Sequence, residues 1–497
     1  MKSVLGIDLG TQSLKVLFYD FEEHKVLATA SSSLDLVTKS DGTAEQLVSW
    51  WTQALVTCME QIAPVIKQSV MAISVSGQQH GFIALDEQGE ALIPVKLWCD
   101  TSTQAECDHI ANSIGGQATW IKEIGNAIST GYTAPKILWM KRQHPDKYQR
   151  LHTILLPHDY LNFYLTGERF MERGDASGTG LFDIYKREWS SKILDAIDAE
   201  RDLGACLPPL RRSEEMVGML SSERASQLGL PVNTPVATGG GDNMMGAIGT
   251  GNVKSGVLTM SLGTSGTVYA YSDQPVVDPE GAIAAFCSST NGWLPLICTM
   301  NCTASTELMR KLMDVGLPEF EKEISLAPIG ANGVITLPFF AGERTPDLPD
   351  AKACIIGLDA NNSTRANLLR STVEGATFGL RFGVDAFRRM GIDVHEIRLT
   401  GGGARSACWR QMVADICQAP VVVLEQDEGA AFGAALQALW ALENSVGNLV
   451  DIGEITDAHL DQNHVKGCKP NPAAVAAYNE IYSEYRRALS AVTRYYH

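Results

Sequence analysis

Apolar residues run almost unbroken through VLGIDL at the start of the chain, pause at Gly10–Ser13 and resume in LKVLFY up to Tyr19. Short apolar runs separated by Gly, Thr and Ser read as two strands and a turn, so a hairpin is predicted. From Thr43 to Gln68 the apolar spacing becomes three and four, with Leu47, Trp50 or Trp51, Leu55, Met59 and Ile62 on one face. That spacing predicts a helix, and Thr43 with Gln46 offers it a capping box. VMAISVSG then reads as a buried strand running into the polar loop GQQHG, the kind of strand end where an α/β protein places its ligand.

The opening pattern returns at residues 257–271, VLTMSLGTSGTVYAY, where Leu262-Gly263-Thr264 falls 253 residues after Leu9-Gly10-Thr11. Two copies about half a chain apart imply two similar halves facing each other across a cleft. Farther on, IRLTGGGARSACWRQMVADI reads as strand, glycine turn and helix, VVVL at 421–424 as a strand, and GAAFGAALQALWAL as a helix of small residues. A helix starting at Asn362 or Ser363 and closed by Gly391 carries Leu369, Val373, Ala376, Leu380 and Phe387 on one face. Strands alternating with helices in both halves predict an α/β fold.

A chain of 497 residues, 45% hydrophobic and 20% charged, is long enough for two large domains and too apolar to be disordered. Its net charge of −17 provides no field to attract phosphate backbones or anionic lipid, which argues against nucleic-acid and membrane partners. Eleven cysteines without a CxxC pair fit reduced thiols better than a zinc ribbon or a disulfide framework. Asp8 interrupts the apolar segment that a signal peptide would need, so a cytoplasmic location is expected.

Chemistry changes the picture at the turns. Asp8 at a strand end, followed by Gly10, Thr11 and Ser13, offers backbone N–H groups and hydroxyls to phosphate oxygens and an anion to a hard cation, with Lys15 adding a positive charge. The second copy has Ser261 where the first has Asp8, so metal ligation is expected on one side only. In GGGDN, at 239–243, three glycines permit a sharp turn before Asp242. Asp242 can then cap the helix that follows, the commoner role, or accept a proton from an attacking hydroxyl. GGGARS at 401–406 lacks the third glycine of a dinucleotide loop, and GxxxG at Gly429–Gly433 suits close helix packing. Gln79 and His80, with Trp98 and Asp100 of LWCD, supply the hydroxyl partners and flat apolar wall that a sugar needs.

Taken in order, GIDLGTQSLK, SGQQHG, LWCD, GYTAPKILW, LLPHDYL, GDASGTG, GGGDN, SLGTSG, GERTP, GGGARS and GAAFGAA resemble the FGGY family of carbohydrate kinases over almost the whole chain. The resemblance implies two ribonuclease H-like, actin-type α/β domains around a central cleft. Residues 1–245 would carry the sugar site, first phosphate turn and catalytic Asp, and residues 246–497 the second turn and nucleotide site. It implies ATP-dependent phosphorylation of a ketopentose, D-xylulose at O5 foremost, with Mg²⁺ as the metal and a homodimer as assembly. The family roles fall on Asp8 for the metal and Asp242 for the catalytic base, which displaces the capping reading. They fall on Gln79, His80, Trp98, Asp100, Asp242 and Asn243 for the sugar. For ATP they fall on Thr11, Gln12, Ser13, Lys15, Gly263, Thr264, Gly402, Gly403 and Ser406. Gln79 and Cys99 stand where ketopentose kinases of the family usually carry Met and Asn, both near the expected sugar. A rival of another class is an actin-type ATPase that hydrolyses ATP slowly without a sugar.

Overall fold

The structure is a computed structural model that describes residues 1–424, 429–460 and 464–496. The chain forms two compact units. The first comprises Met1–Val253, Ser272–Pro295 and Glu428–Asp461; the second comprises Lys254–Tyr271, Leu296–Asp427 and Gln462–His497. The helix Gly429–Ser445, far along the chain, packs within the first unit.

In the first unit the predicted hairpin forms as Ser3–Leu9 and Ser13–Asp20, antiparallel, with Lys25–Ser33 antiparallel to its outer edge. On the other side Val70–Gly77 runs parallel to Ser3–Leu9. Pro235–Ala237 follows parallel, and Met216–Met219 antiparallel, at the far edge. A strand with neighbours on both sides and layers on both faces must be apolar throughout, which is why SVLGIDL and VMAISVSG lack the polar alternation of a half-exposed strand.

The sheet of the second unit repeats this plan. Gly256–Leu262 and Gly266–Ala270 form the antiparallel hairpin, and Trp293–Thr299 lies antiparallel outside it. Val394–Thr400 and Val421–Leu424 follow in parallel, and His464–Cys468 closes the order antiparallel. Six strands of each sheet agree in order and sense, so the short repeated motif marks a repeated fold of the ribonuclease H-like kind.

One local prediction fails. Residues 44–46 are a short strand and the helix begins at Val48, so no capping box forms. Gln46 is buried and spent elsewhere: it donates to the carbonyls of Thr11 and Asp35 and accepts from Trp51 Nε1. The long helix runs Arg365–Arg389 with Thr364 as its cap, two or three residues later than expected.

The first unit has two apolar cores. One lies against the sheet, with Leu5, Ile7, Val16, Trp51, Leu55 and Val75; the other gathers Phe82, Trp120, Ile137, Leu156 and Phe182. The SGQQHG loop lies between Val75 of the first and Phe82 of the second. Among the described residues no helix is long and apolar enough to cross a membrane.

Candidate active site

Parallel pairing delivers the acids to one place. Asp8 lies opposite Ser76, and Gly240 and Gly241 pair alongside Ser76 and Gly77, so the C-terminal ends of adjacent strands present Asp8 and Asp242 together. Ser76 Oγ donates to Asp8 Oδ1 at 2.8 Å. Asp242 is the first residue of the helix Asp242–Gly249; Gly241 is the cap, and no side-chain capping bond is made. The capping reading is thereby removed.

Asp242 Oδ1 instead accepts from the backbone and side-chain amides of Asn243, at 2.8 and 3.0 Å, and Asn243 Nδ2 also donates to Gln79 Oε1 at 3.0 Å. Part of Asp242 stays accessible, yet the protein packed around it pushes its carboxyl up to about 7, with the charges of Asp8 and Asp175 adding to the rise. The backbone that carries it is held from across the fold. Gln437 takes the Gly239 N–H at 2.9 Å, donates to the Gly239 carbonyl at 3.0 Å and accepts from Ser74 Oγ at 2.6 Å. Gly239 has φ +74, which favours glycine there. The helix bearing Gln437 comes this close because Gly433 lies on the Met245 carbonyl, where a Cβ would sit 1.8 Å from the oxygen.

The Gly10–Ser13 turn is anchored by its carbonyls. Gln46 donates to Thr11 O at 2.8 Å, Leu34 N to Gln12 O at 2.8 Å, and Gly10 N to Ser13 O at 3.0 Å. Thr11 Oγ1 donates to Gln78 and accepts from Trp98 Nε1 at 2.9 Å. Trp98 is thus tied to the Gly10–Ser13 turn. Gln12 is exposed, and Ser13 and Lys15 are half-buried on the strand that leaves the turn. Buried Gln78 is not singled out by the sequence reading, and Gln46 only as half of a capping box; polar residues flanking buried runs are the signal that could have revealed their role at this turn.

Asp100 departs from expectation. It is fully buried, and its carboxylate accepts from Ala44 N, Lys96 Nζ, Ser102 N and Ser102 Oγ. Asp100 therefore shapes the loop behind Trp98 and has nothing left for a sugar. His158, also missed, lies fully buried between Asp175 at 2.7 Å and Asp159 at 2.9 Å. Burial alone would depress it, but the two carboxylates push it up to about 10.

In the second unit the Gly263–Thr264 turn is likewise anchored by carbonyls. Thr303 donates to Gly263 O through N and Oγ1, and Cys302 and Ala304 donate to Thr264 O, all from the start of the helix Thr303–Leu312. Gly401 packs on Leu262 and Gly263, which brings the GGGARS turn beside this one. Gly402 is exposed and open on the side where a Cβ would point. Gly403 is instead buried against Leu262 and Trp409, and Ser406 Oγ caps the next helix by accepting from Trp409 N at 3.0 Å. Those two residues build the turn, whose open member is Gly402.

Among the described residues no group of three His, Cys, Asp or Glu could hold a metal ion. A protein cage is thus not offered, but Mg²⁺ is held elsewhere by one or two carboxylates with phosphates and water completing its shell, and Asp8 fits that mode.

Residues 3–249 match the N-terminal domain, and residues 258–442 the C-terminal domain, of the FGGY family of carbohydrate kinases. The chain is 45% identical over 493 residues to a xylulose kinase of Haemophilus influenzae, covering 98% of this chain and 99% of that one. It is 34% identical over 448 residues to a xylulose kinase of Bacillus subtilis, covering 88% of each. A crystal structure of a "xyloylose kinase" from Brucella ovis superposes with a TM-score of 0.91 at 30% identity, covering 99% of both chains.

Proposed function

Because the chain belongs to the FGGY family of carbohydrate kinases, whose members use ATP and generally a divalent metal, we propose that it phosphorylates D-xylulose at O5. The observation that carries this reading is the Asp242–Asn243–Gln79 chain of hydrogen bonds beside Asp8, a carboxylate tuned to about 7 next to groups that can grip a hydroxyl. A general base works best with a pKa near the working pH, and burial has brought Asp242 there.

In this reading Asn243, Gln79 and His80 bind the ketose, and Trp98 lines it. Asp242 Oδ1 is spent on Asn243, so Oδ2 takes the proton of the terminal hydroxyl as its oxygen attacks phosphorus. Thr11, Gln12, Ser13 and Lys15 in the first unit, and Gly263, Thr264 and Gly402 in the second, are assigned to ATP. Asp8 would hold Mg²⁺, which when bound neutralises charge on the phosphates. Positioning supplies most of the rate, the base typically about 10² to 10⁴-fold.

The test is coupled ATP turnover against a panel of ketopentoses, polyols and hexonates. D-Xylulose should give the highest kcat/KM. A polyol or hexonate preferred over every ketopentose would move the substrate, and sugar-independent hydrolysis alone would favour the ATPase reading.

A further inference from the structure

Lys136 belongs to GYTAPKILW, a segment that the proposed chemistry leaves unused. It sits in the helix Thr133–Gln143 and is fully buried. A buried lysine is costly unless its N–H groups are satisfied, and a carboxylate partner is the usual solution. Nearby Lys96 has that solution, with Asp100 at 2.8 Å and Glu45 at 3.4 Å. Lys136 has no ion pair among the described residues. Its amine donates instead to two main-chain carbonyls, those of His80 at 3.0 Å and Gly131 at 2.6 Å.

Those carbonyls belong to two walls of the proposed sugar pocket. His80 carries φ +65, a left-handed backbone that a histidine holds only under constraint, and its carbonyl also accepts from Thr133 Oγ1 at 3.2 Å. Its ring is caged by Tyr132 at 4.9 Å, by Phe286 at 5.5 Å and by Gly178, where a Cβ would meet the imidazole. Gly131 lies on the carbonyl of Trp98, where a Cβ would sit 2.5 Å from the oxygen. One amine therefore ties the loop of His80 to the segment that backs Trp98 and sets Tyr132 against His80.

We propose that Lys136 is the positioning residue of the sugar pocket: held between the His80 and Gly131 carbonyls, it fixes the His80 imidazole and the wall behind Trp98, and thereby sets ketose affinity. The proposal rests on the kinase reading above, in which His80 and Trp98 meet the sugar. Burial pushes the Lys136 amine down to about 7 against the pull of Asp100. Even uncharged, its two N–H groups match the two carbonyls.

Lys136→Met keeps the length and apolar stem and removes both donors; Lys136→Gln retains two N–H donors without an amine. Lys136→Met should raise the ketose KM about tenfold or more while kcat and the KM for ATP move less than about threefold. Lys136→Gln should recover part of that affinity, and Thr133→Val should cost about two- to threefold in ketose KM. The His80 ring signals in the NMR spectrum of the sugar-free enzyme, assigned with His80→Gln, should shift in Lys136→Met.

An unchanged ketose KM in soluble, folded Lys136→Met overturns the proposal, and so does an equal loss in kcat and both KM values. If Lys136→Met does not fold, Lys136→Gln and Thr133→Val decide by the same split. Unmoved His80 signals overturn the positioning role whatever the substrate, whereas wild-type enzyme without ketose turnover, but with shifted His80 signals, indicts the functional reading instead.

Discussion

Asn243 donates twice to Asp242 Oδ1, through its backbone N–H at 2.8 Å and its side chain at 3.0 Å. These bonds favour the ionised carboxylate, yet burial and the neighbouring charges of Asp8 and Asp175 outweigh them and hold the group near 7. Asn243 also orients the carboxylate, so its contribution is geometric as well as electrostatic.

Asp242→Asn should fold normally and bind ketose within a few-fold of wild type while losing about two or more orders of magnitude in kcat, since the amide matches the carboxylate in size and cannot take a proton. Steady-state kinetics with D-xylulose is the measurement. Near-normal turnover would leave Asp242 a structural residue.

The same group sets a pH dependence with a definite sign. The base must be ionised, so kcat/KM for the ketose should rise with pH through a midpoint near 7. Stability runs the other way. A carboxyl raised from 3.8 to about 7 on folding binds its proton more tightly in the native state, so its contribution is full below about pH 4 and is lost as pH rises to about 7. Asp242→Asn should therefore lose less stability than wild type between pH 4 and 7 in denaturant titrations. Parallel curves would contradict the assigned shift.

Asp8→Ala should raise the Mg²⁺ concentration needed for half-maximal rate and lower the rate at saturation, because the phosphate turn remains anchored by Gln46 and Leu34 while its hard anion is gone. A Mg²⁺ titration superimposable on that of wild type would remove Asp8 from the metal.

Gly433→Val drives a side chain into the Met245 carbonyl, to which a Cβ alone comes within 1.8 Å. Overpacking of this kind costs about 1–3 kcal/mol or more. Melting should fall by several degrees, and kcat should fall with it, since the same helix holds Gly239 through Gln437. A variant as stable and active as wild type would show that the two backbones can separate freely.

The sequence alone determined the strands and the turns between them, because alternation, apolar runs and Gly-Thr turns act over a few residues. The repeated hairpin was legible for that reason, and close packing was the sequence reading of the glycines at 429 and 433. Tertiary structure decided what depends on partners distant along the chain. Gln437 reaches Gly239 across 198 positions, which draws its helix into the first unit. Asp100 looked like a sugar ligand until Lys96, Ser102 and Ala44 consumed its oxygens. Gln46 looked like half of a capping box until burial beside Thr11 gave it carbonyls to hold. Lys136 had no local signature at all, since the carbonyls it holds, those of His80 and Gly131, meet only when two segments fold against one helix. A polar side chain announces in sequence that it needs a partner, and only the packed chain supplies which one.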